Sequence, residues 1–145
     1  MPIRFGTYNI RNGRNGGLES ALRGMSQAKM DLGIFQETKC TDVIYTRKLA
    51  GYSVVATDAP IRHRVGVAIF YRPSPLFTVE AVRHFGPNVI GFQLATGARW
   101  WYIIGCYLAS DDTSTIESVV AALKDQPRGT ALIVAGDLNT TLADP

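Results

Sequence analysis

The 145-residue chain contains few of the side chains that build zinc sites or disulfide frameworks. Its only cysteines are Cys40 and Cys106, which do not form a C-x-x-C pair, and its only histidines are His63 and His84. These absences argue against a zinc ribbon and against a disulfide scaffold, so we expect both thiols to be reduced and structural. We likewise expect the two histidines to be exposed or to face nucleic acid rather than to act in catalysis.

Long hydrophobic runs are absent as well. No apolar stretch reaches the roughly 18 residues that suggest a membrane-spanning helix. A strand-like segment begins almost at the first residue, so the sequence indicates no signal peptide. We therefore expect an intracellular protein without a membrane partner. Low-complexity tracts, internal repeats and Pro/Gly/Ser linkers are also missing, which predicts a single domain over residues 1–145.

Arginine is the residue that the chain has in excess. Lys and Arg total 15 against 12 Asp and Glu, a net charge of +3, and 11 of the 15 cations are Arg. Because arginine suits bidentate phosphate contacts and base stacking, the loop arginines are candidates for binding nucleic acid. These candidates are Arg11, Arg14, Arg62 and Arg64. Ordinary surface solvation explains any single one of them equally well.

The N-terminal segment alternates strand and helix patterns. Apolar strands are predicted over residues 3–10 and 32–36, and between them apolar side chains recur at helical spacing over residues 18–30. A strand, a helix and a strand in about 30 residues imply a right-handed crossover between parallel or near-neighbour strands. Asn9 and Glu37, at the ends of the two strands, are therefore expected at the same rim of the sheet.

From residue 52 onward, short strands follow in quick succession, as in hairpins or a meander. Five are predicted, at 52–57, 65–71, 77–84, 89–95 and 100–107. A capping box formed by Ser114 and Glu117 then begins a helix that ends before Pro127, and a last strand covers residues 131–135.

Polar side chains stand at the ends of otherwise apolar strands. Besides Asn9 and Glu37, the last strand is followed by Asp137 and Asn139. These two project from one face of an extended segment, with Leu138 between them turned into the core. Each has an ordinary alternative: an Asx-turn for Asp137 and Asn139, and the first solvated residue after a strand for Glu37. As a set, carboxylates and amides on one rim favour a hard cation such as Mg²⁺ or Mn²⁺ over zinc.

Five segments, taken in order, resemble the motifs of the endonuclease/exonuclease/phosphatase superfamily. They are Thr-Tyr-Asn-Ile-Arg-Asn from residue 7, Phe-Gln-Glu-Thr-Lys from 35, Gly-Val-Ala-Ile-Phe-Tyr-Arg from 66, Ile-Gly-Cys-Tyr-Leu-Ala from 104 and Val-Ala-Gly-Asp-Leu-Asn-Thr from 134. Gln-Glu-Thr and Gly-Asp-Leu-Asn form the most specific pair. The chain looks most similar to the endonuclease domains of non-LTR retrotransposons, which resemble apurinic-site endonucleases in architecture.

The resemblance implies an α/β fold in which two mixed, mostly antiparallel sheets pack between outer helices as a four-layer α/β/β/α sandwich. It also implies the roles of the rim residues. Glu37 would be the principal metal ligand, and Asn9 beside it would orient the ion or its water. Asp137 would position or deprotonate the attacking water, and Asn139 would hold the scissile phosphate. Tyr107 matches a tyrosine near that phosphate, although a strand tyrosine packed over the rim is an equal alternative.

Two features depart from the family pattern. The family often has an acidic residue two positions after the first Asn, where this chain has Arg11, which removes a carboxylate or adds a phosphate contact. The family also continues well beyond Gly-Asp-x-Asn to a Ser-Asp-His-type motif, which these 145 residues do not contain. We therefore expect the N-terminal portion of the fold, an incomplete domain that self-associates through an exposed apolar sheet face.

Three functions are consistent with the sequence. The first is Mg²⁺- or Mn²⁺-dependent phosphodiester hydrolysis by the DNA-nicking endonuclease domain of a retroelement, impaired in this chain and nuclear if its source is eukaryotic. The second is a phosphatase of the same fold acting on a small phosphorylated substrate, which calls for a deep pocket rather than a basic groove with stacking aromatics. The third is a non-catalytic remnant that binds nucleic acid or itself.

Overall fold

The computed structural model describes residues 2–39, 47–57, 66–108 and 113–138. These ranges contain nine strands and two helices. They are β1 (Phe5–Asn9), α1 (Gly17–Gln27), β2 (Leu32–Gln36), β3 (Arg47–Leu49), β4 (Tyr52–Ala56), β5 (Val67–Tyr71), β6 (Phe77–Gly86), β7 (Val89–Thr96), β8 (Trp100–Tyr107), α2 (Thr113–Lys124) and β9 (Ala131–Asp137). Within the described ranges, no helix has the length and hydropathy needed to cross a membrane.

The strands form two sheets. Sheet A has the order β1-β2-β5-β4-β3, and sheet B has the order β6-β7-β8-β9. The pairs β1–β2 and β8–β9 are parallel, and the other pairs named in these orders are antiparallel. The expectation of mixed, mostly antiparallel sheets is confirmed, as is the β1-α1-β2 crossover between parallel neighbours. The three-residue β3 was not predicted, because so short a strand shows no alternation of apolar and polar residues.

A shared apolar core lies between the two sheets. Ile34 and Ile69 of sheet A and Ile90, Phe92 and Ile103 of sheet B belong to one cluster of buried side chains. Alternate residues of each strand point the other way, because successive side chains of a strand project from opposite faces. Each sheet therefore has an outer apolar face that also needs cover.

Each helix covers the outer face of one sheet. Leu22 of α1 packs with Phe35 and Phe70, which point outward from sheet A. Ala122 of α2 packs with Tyr102, which points outward from sheet B and donates its hydroxyl hydrogen to the Ala122 carbonyl at 2.9 Å. The layers run α1, sheet A, sheet B, α2, so the predicted α/β/β/α sandwich is confirmed.

This layering removes the face through which self-association was expected. The strands β5 and β8 are apolar on both sides, as the sequence indicates, and they are buried over most of their length. The sequence argument assumed that two helices would cover a single sheet face. Instead the sheets cover each other's inner faces, and each helix takes one outer face. An exposed inner sheet face is therefore not available for a second copy.

Several element ends differ from the predicted ones by a few residues. Helix α1 ends at Gln27 rather than at residue 30, and β9 continues to Asp137 rather than ending at residue 135. Ser114 lies inside the first turn of α2, which includes Thr113, so Ser114 is not the residue that precedes the helix as a cap.

Candidate active site

The ends of four strands meet at one rim of the sandwich. Asn9 ends β1, and Glu37 directly follows the parallel neighbour β2. Asp137 ends β9, and Tyr107 ends the parallel neighbour β8. Hydrogen bonds join side chains of sheet A to side chains of sheet B, and they bring Asn9, Glu37 and Asp137 of the predicted rim set together with Tyr107. In open α/β sheets, ligands bind at such carboxyl ends of strands.

Asn9 links the two sheets through its side-chain amide. Its Nδ2 donates hydrogen bonds to Oε1 of Glu37 at 2.9 Å and to Oδ2 of Asp137 at 3.0 Å. Its Oδ1 accepts a hydrogen bond from the backbone N–H of Arg11 at 2.9 Å, which fits the same orientation of the amide. Because both carboxylate oxygens contact one nitrogen, they lie within about 6 Å of each other, close enough for strong repulsion between unscreened charges.

Glu37 is buried rather than solvated. Its exposed fraction is 9%, and its Oε1 also accepts a hydrogen bond from the hydroxyl of Tyr107 at 3.2 Å. Its backbone φ is 55°, a left-handed conformation that costs free energy in a residue other than glycine. A buried carboxylate needs hydrogen-bond donors, which Asn9 and Tyr107 provide. The reading of Glu37 as merely the first solvated residue after a strand is therefore wrong.

Gly136 allows β9 to deliver Asp137 to the rim. Its φ is 142°, and a Cβ added there would overlap the carbonyl oxygen of Cys106 on the neighbouring strand. The backbone carbonyl of Asp137 then accepts a hydrogen bond from Leu108 N–H at 2.9 Å, which holds the strand ends together. Leu138 is 48% exposed, so the expectation that it points into the core is wrong. The alternation stops because β9 ends at Asp137.

Cys106 lies beside this site without the surroundings of a reactive thiol. It is free and buried, and burial, followed by the charge of Asp137, raises the pKa of its thiol. Reactive cysteines have lowered pKa values and some exposure to solvent, so a structural thiol is the role that fits. Cys40 lies outside the described residues.

An open pocket of about 610 Å³ adjoins the carboxylate pair. It is lined by Tyr8, Asn9, Ile10, Arg11 and Asp137. Tyr8 is 55% exposed at this rim, although it was noted from the sequence only as part of a motif. The lining therefore includes an acidic residue, a basic residue and an exposed aromatic residue.

Of the other residues predicted to bind nucleic acid, Arg14 does not line this pocket, and the rest lie outside the described residues. Arg14 turns its guanidinium toward the segment after β2, where Nε donates to the carbonyl of Lys39 at 2.9 Å and Nη2 is buried. Arg62 and Arg64 lie outside the described residues, as does Asn139, the candidate for holding the phosphate.

Asn88 supports the rim and was not singled out from the sequence. It is buried in the turn between β6 and β7, and its Oδ1 accepts the N–H of Gly66 at 2.8 Å. Its backbone carbonyl accepts the N–H of Tyr107 at 3.0 Å, so one residue connects the start of β5 with the end of β8. The only signal in the sequence is the turn-forming Gly-Pro-Asn from residue 86.

His84 is not the exposed loop histidine that was expected. It lies within β6, and its Nδ1 is buried without a hydrogen-bond partner among the described residues. Burial lowers the pKa of its imidazole, because removal from water disfavours the charged form. His63 lies outside the described residues.

The two carboxylates fit a hard divalent cation. Mg²⁺ needs only one or two protein carboxylates and completes its octahedron with water and phosphate oxygens. The described part of the chain contains no group of three or more His, Cys, Asp or Glu side chains that could hold a metal. Asn9, in the orientation that it has, turns N–H groups rather than its oxygen toward Glu37 and Asp137.

The fold is thus that of an α/β protein in which two sheets pack face to face and a pair of carboxylates lies at one rim, at the ends of the strands. Residues 6–145 match the model of the Endonuclease/Exonuclease/phosphatase family, and the chain belongs to that family. Comparison with curated protein sequences gives no match.

Three solved structures are similar to this chain. The endonuclease domain of TRAS1, a telomere-specific non-LTR retrotransposon, gives a TM-score of 0.68 at 20% identity over 97% of this chain and 62% of that one. TDP2 of D. rerio, complexed with a single-strand DNA product, gives a TM-score of 0.58 at 14% identity, over 97% of this chain and 62% of that one. A functionally unknown conserved protein from Enterococcus faecalis gives a TM-score of 0.64 at 12% identity, over 94% of this chain and 66% of that one. At these identities the likeness shows the fold alone, and the chain spans less than two thirds of the length of each.

Proposed function

We propose that this chain carries part of a divalent-metal phosphodiesterase site that acts on DNA, as in the endonuclease domain of a retroelement. The observation that supports the proposal is the amide of Asn9, which holds Glu37 and Asp137 together across the two sheets. Structural salt-bridge partners would serve stability better than two adjacent carboxylates, so this cluster has the chemistry of a cation site.

Each rim residue then has a role that its position allows. Glu37 would hold Mg²⁺ or Mn²⁺, with its carboxylate oriented by the hydroxyl of Tyr107. Asp137 would orient or deprotonate the attacking water, and Asn139 would hold the scissile phosphate. When bound, the cation supplies Lewis-acid polarisation of a phosphoryl oxygen.

DNA is favoured over a small phosphorylated substrate by the walls of the pocket. The exposed ring of Tyr8 suits stacking on a base, and the guanidinium of Arg11 suits a backbone phosphate. Arg11 would thus add a phosphate contact where the family often has an acidic residue. The domain would act inside the cell, in the nucleus if its source is eukaryotic.

We expect this chain alone to nick DNA slowly. Its 145 residues contain no Ser-Asp-His sequence. General acid–base or electrostatic help of the kind that an Asp–His pair gives is worth roughly 10²- to 10⁴-fold. Plasmid nicking should therefore be weak, and Asp137→Asn should abolish what remains. Robust turnover that survives Asp137→Asn would overturn the assignment of the site.

Cation binding tests the proposal independently of turnover. Calorimetric titration with Mn²⁺ should give a dissociation constant on the order of 10⁻³ M for the unmodified chain, as open oxygen sites do. Glu37→Gln should weaken binding at least about tenfold, since it removes the charge of the principal ligand. The control is Glu80→Gln, which removes an exposed carboxylate on β6 and should leave binding unchanged. Equal Mn²⁺ affinity in the Glu37→Gln variant would reject the metal site.

A third measurement separates the enzyme from a non-catalytic remnant. If no nicking is detected under any metal condition while DNA binding persists with a steep dependence on salt, the chain is a binding module. Loss of that binding in Arg11→Gln would still place the DNA at this rim.

A further inference from the structure

Asn88 occupies the turn between β6 and β7, yet its side chain is almost completely buried. Gly86 and Val89 pair across this turn, so Pro87 and Asn88 alone make the connection. Asparagine is common in exposed turns, where water satisfies its amide, but an amide that is 1% exposed needs partners within the protein. The hydrogen bonds of Asn88 lead, by two separate paths, to Glu37.

The first path runs from the side-chain oxygen of Asn88 to the backbone beside Glu37. Oδ1 accepts the N–H of Gly66 at 2.8 Å, and the carbonyl of Gly66 accepts the N–H of Thr38 at 3.3 Å. Gly66 has a φ of 109°, a conformation that favours glycine. Thr38 is fully buried and directly follows Glu37 in the chain, so this path holds the backbone at the carboxylate.

The second path runs from the backbone carbonyl of Asn88 to the carboxylate itself. This carbonyl accepts the N–H of Tyr107 at 3.0 Å. The hydroxyl of Tyr107 then donates to Oε1 of Glu37 at 3.2 Å. One residue of sheet B therefore supports both the backbone and the side chain of Glu37.

The side-chain nitrogen of Asn88 makes a third bond, which lies on neither path. Nδ2 donates to Oγ1 of Thr115, in the first turn of α2, at 3.3 Å. Because the N–H of Gly66 can only donate, the amide oxygen must face it and the nitrogen must face Thr115. The bond to Thr115 thus shares the burial of the first path but not its connection to Glu37.

Glu37 depends on such support because its own backbone conformation is unfavourable. A φ of 55° costs free energy in a residue other than glycine, and such conformations persist where the surrounding structure determines them. The peptide groups of Thr38 are held on two sides: its carbonyl accepts the N–H of Gly13 at 2.9 Å, and its N–H donates to Gly66. Since a metal ligand must keep its position to within about 0.5 Å, loss of one such bond should be measurable at the cation.

We propose that Asn88 is a positioning residue that holds the carboxylate of Glu37 in place from sheet B. The inference deepens the proposed function and rests on it in one respect, namely that Glu37 binds the cation. Asn88 acts through Gly66, Thr38 and Tyr107. Residues that orient a metal ligand in this way typically change metal affinity 10- to 100-fold when they are replaced.

Mn²⁺ binding, followed by electron paramagnetic resonance of the free ion, tests the effect on the cation. Asn88→Ala should weaken binding about tenfold. The matched control is Thr115→Val, which removes the third bond of Asn88 and leaves both paths, so that Mn²⁺ affinity should stay within about twofold even where stability falls. Equal weakening in the two variants would overturn the proposal, because Asn88 would then serve stability alone.

Amide hydrogen exchange in EDTA tests the positioning without any cation. The backbone carbonyl of Asn88 survives substitution, so the amide to follow is that of Thr38. Asn88→Ala should speed its exchange at least about tenfold relative to the core amide of Ile103, and Thr115→Val should not. Asn88→Asp, which keeps an oxygen for the N–H of Gly66, should restore slow exchange.

The two measurements separate this inference from the proposed function. If Asn88→Ala does not fold, Asn88→Leu takes its place, because leucine fills the site without an acceptor. Unchanged exchange at Thr38 in either variant would overturn the proposal. If exchange at Thr38 responds as expected while Glu37→Gln leaves Mn²⁺ affinity unchanged, the metal site is rejected and the positioning of Glu37 by Asn88 is upheld.

Discussion

Replacing Asn9 with Ala tests whether its amide holds the carboxylate pair together. The substitution removes the two hydrogen bonds from Nδ2, at 2.9 Å to Glu37 and at 3.0 Å to Asp137. It also removes the local bond that Oδ1 accepts from the N–H of Arg11. Two partly buried carboxylates are then left close together with fewer donors, and the free energy of unfolding should fall.

The size of the effect follows from the kind of bond that is lost. A hydrogen bond to a charged group contributes about 1.5–3 kcal/mol, and a neutral one contributes about 1 kcal/mol. With two charged bonds near the lower value, the amide donors should account for about 3 kcal/mol. Asn12→Ala is the matched control, because Asn12 also accepts a hydrogen bond from the backbone N–H two residues later, that of Arg14, but does not bridge the two carboxylates. It should cost only about 1 kcal/mol.

Urea unfolding followed by circular dichroism, in the presence of EDTA, measures the difference. EDTA is needed because a cation between Glu37 and Asp137 would compensate for the missing donors. Adding millimolar Mn²⁺ should therefore restore more stability to the Asn9→Ala variant than to the Asn12→Ala variant. If Asn9→Ala costs no more than Asn12→Ala in EDTA, the bridge contributes nothing to stability and the reasoning is refuted.

Two further predictions concern the backbone and the pH dependence of stability. Gly136→Ala should lower the free energy of unfolding by about 3 kcal/mol or more, because the added Cβ would overlap a neighbouring backbone carbonyl. The control Gly129→Ala should lower it by only about 1 kcal/mol, because Gly129 has a φ of 78° but open space around it. Equal losses of stability in thermal unfolding would contradict this. Burial lowers the pKa of the His84 imidazole below its ordinary value of 6.5. The unfolded chain therefore takes up this proton more readily than the folded chain, and the free energy of unfolding falls as the pH drops below 6.5. His84→Gln should flatten the loss of stability between about pH 7 and pH 5, and an unchanged pH profile would show that His84 does not cause it.

Local patterns predicted most of the elements because they depend on spacing along the chain. The period of two in the strands and the recurrence of Leu18, Leu22 and Met25 each follow from the geometry of one element. The structure confirms that the α1 stripe is buried. The stripe of α2 has the same spacing, yet Ile116 and Val120 are exposed. Periodicity identifies a helix with an apolar side, but what covers that side depends on the layers around it.

The candidate site was predictable because parallel strands bring their ends to one edge. Asn9 and Glu37 followed from a crossover of about 30 residues, Asp137 followed from its place after the last apolar strand, and the family resemblance added Tyr107. Asn88 was not found, because its contacts are with Gly66 and with the end of β8, which are distant in sequence. A turn sequence gives no indication of which backbone groups its side chain will bind.

Spacing and residue type in the sequence were enough to predict most of the elements, the order of the polar strand ends and the family resemblance. The pairing of the faces, with sheet packed on sheet and one helix on each outer side, became visible only in the folded structure. The folded structure also shows that the amide hydrogens of Asn9, rather than its oxygen, face the two carboxylates. The physical reason is that burial and hydrogen bonding depend on groups brought together from distant parts of the chain, and a linear pattern does not contain those distances.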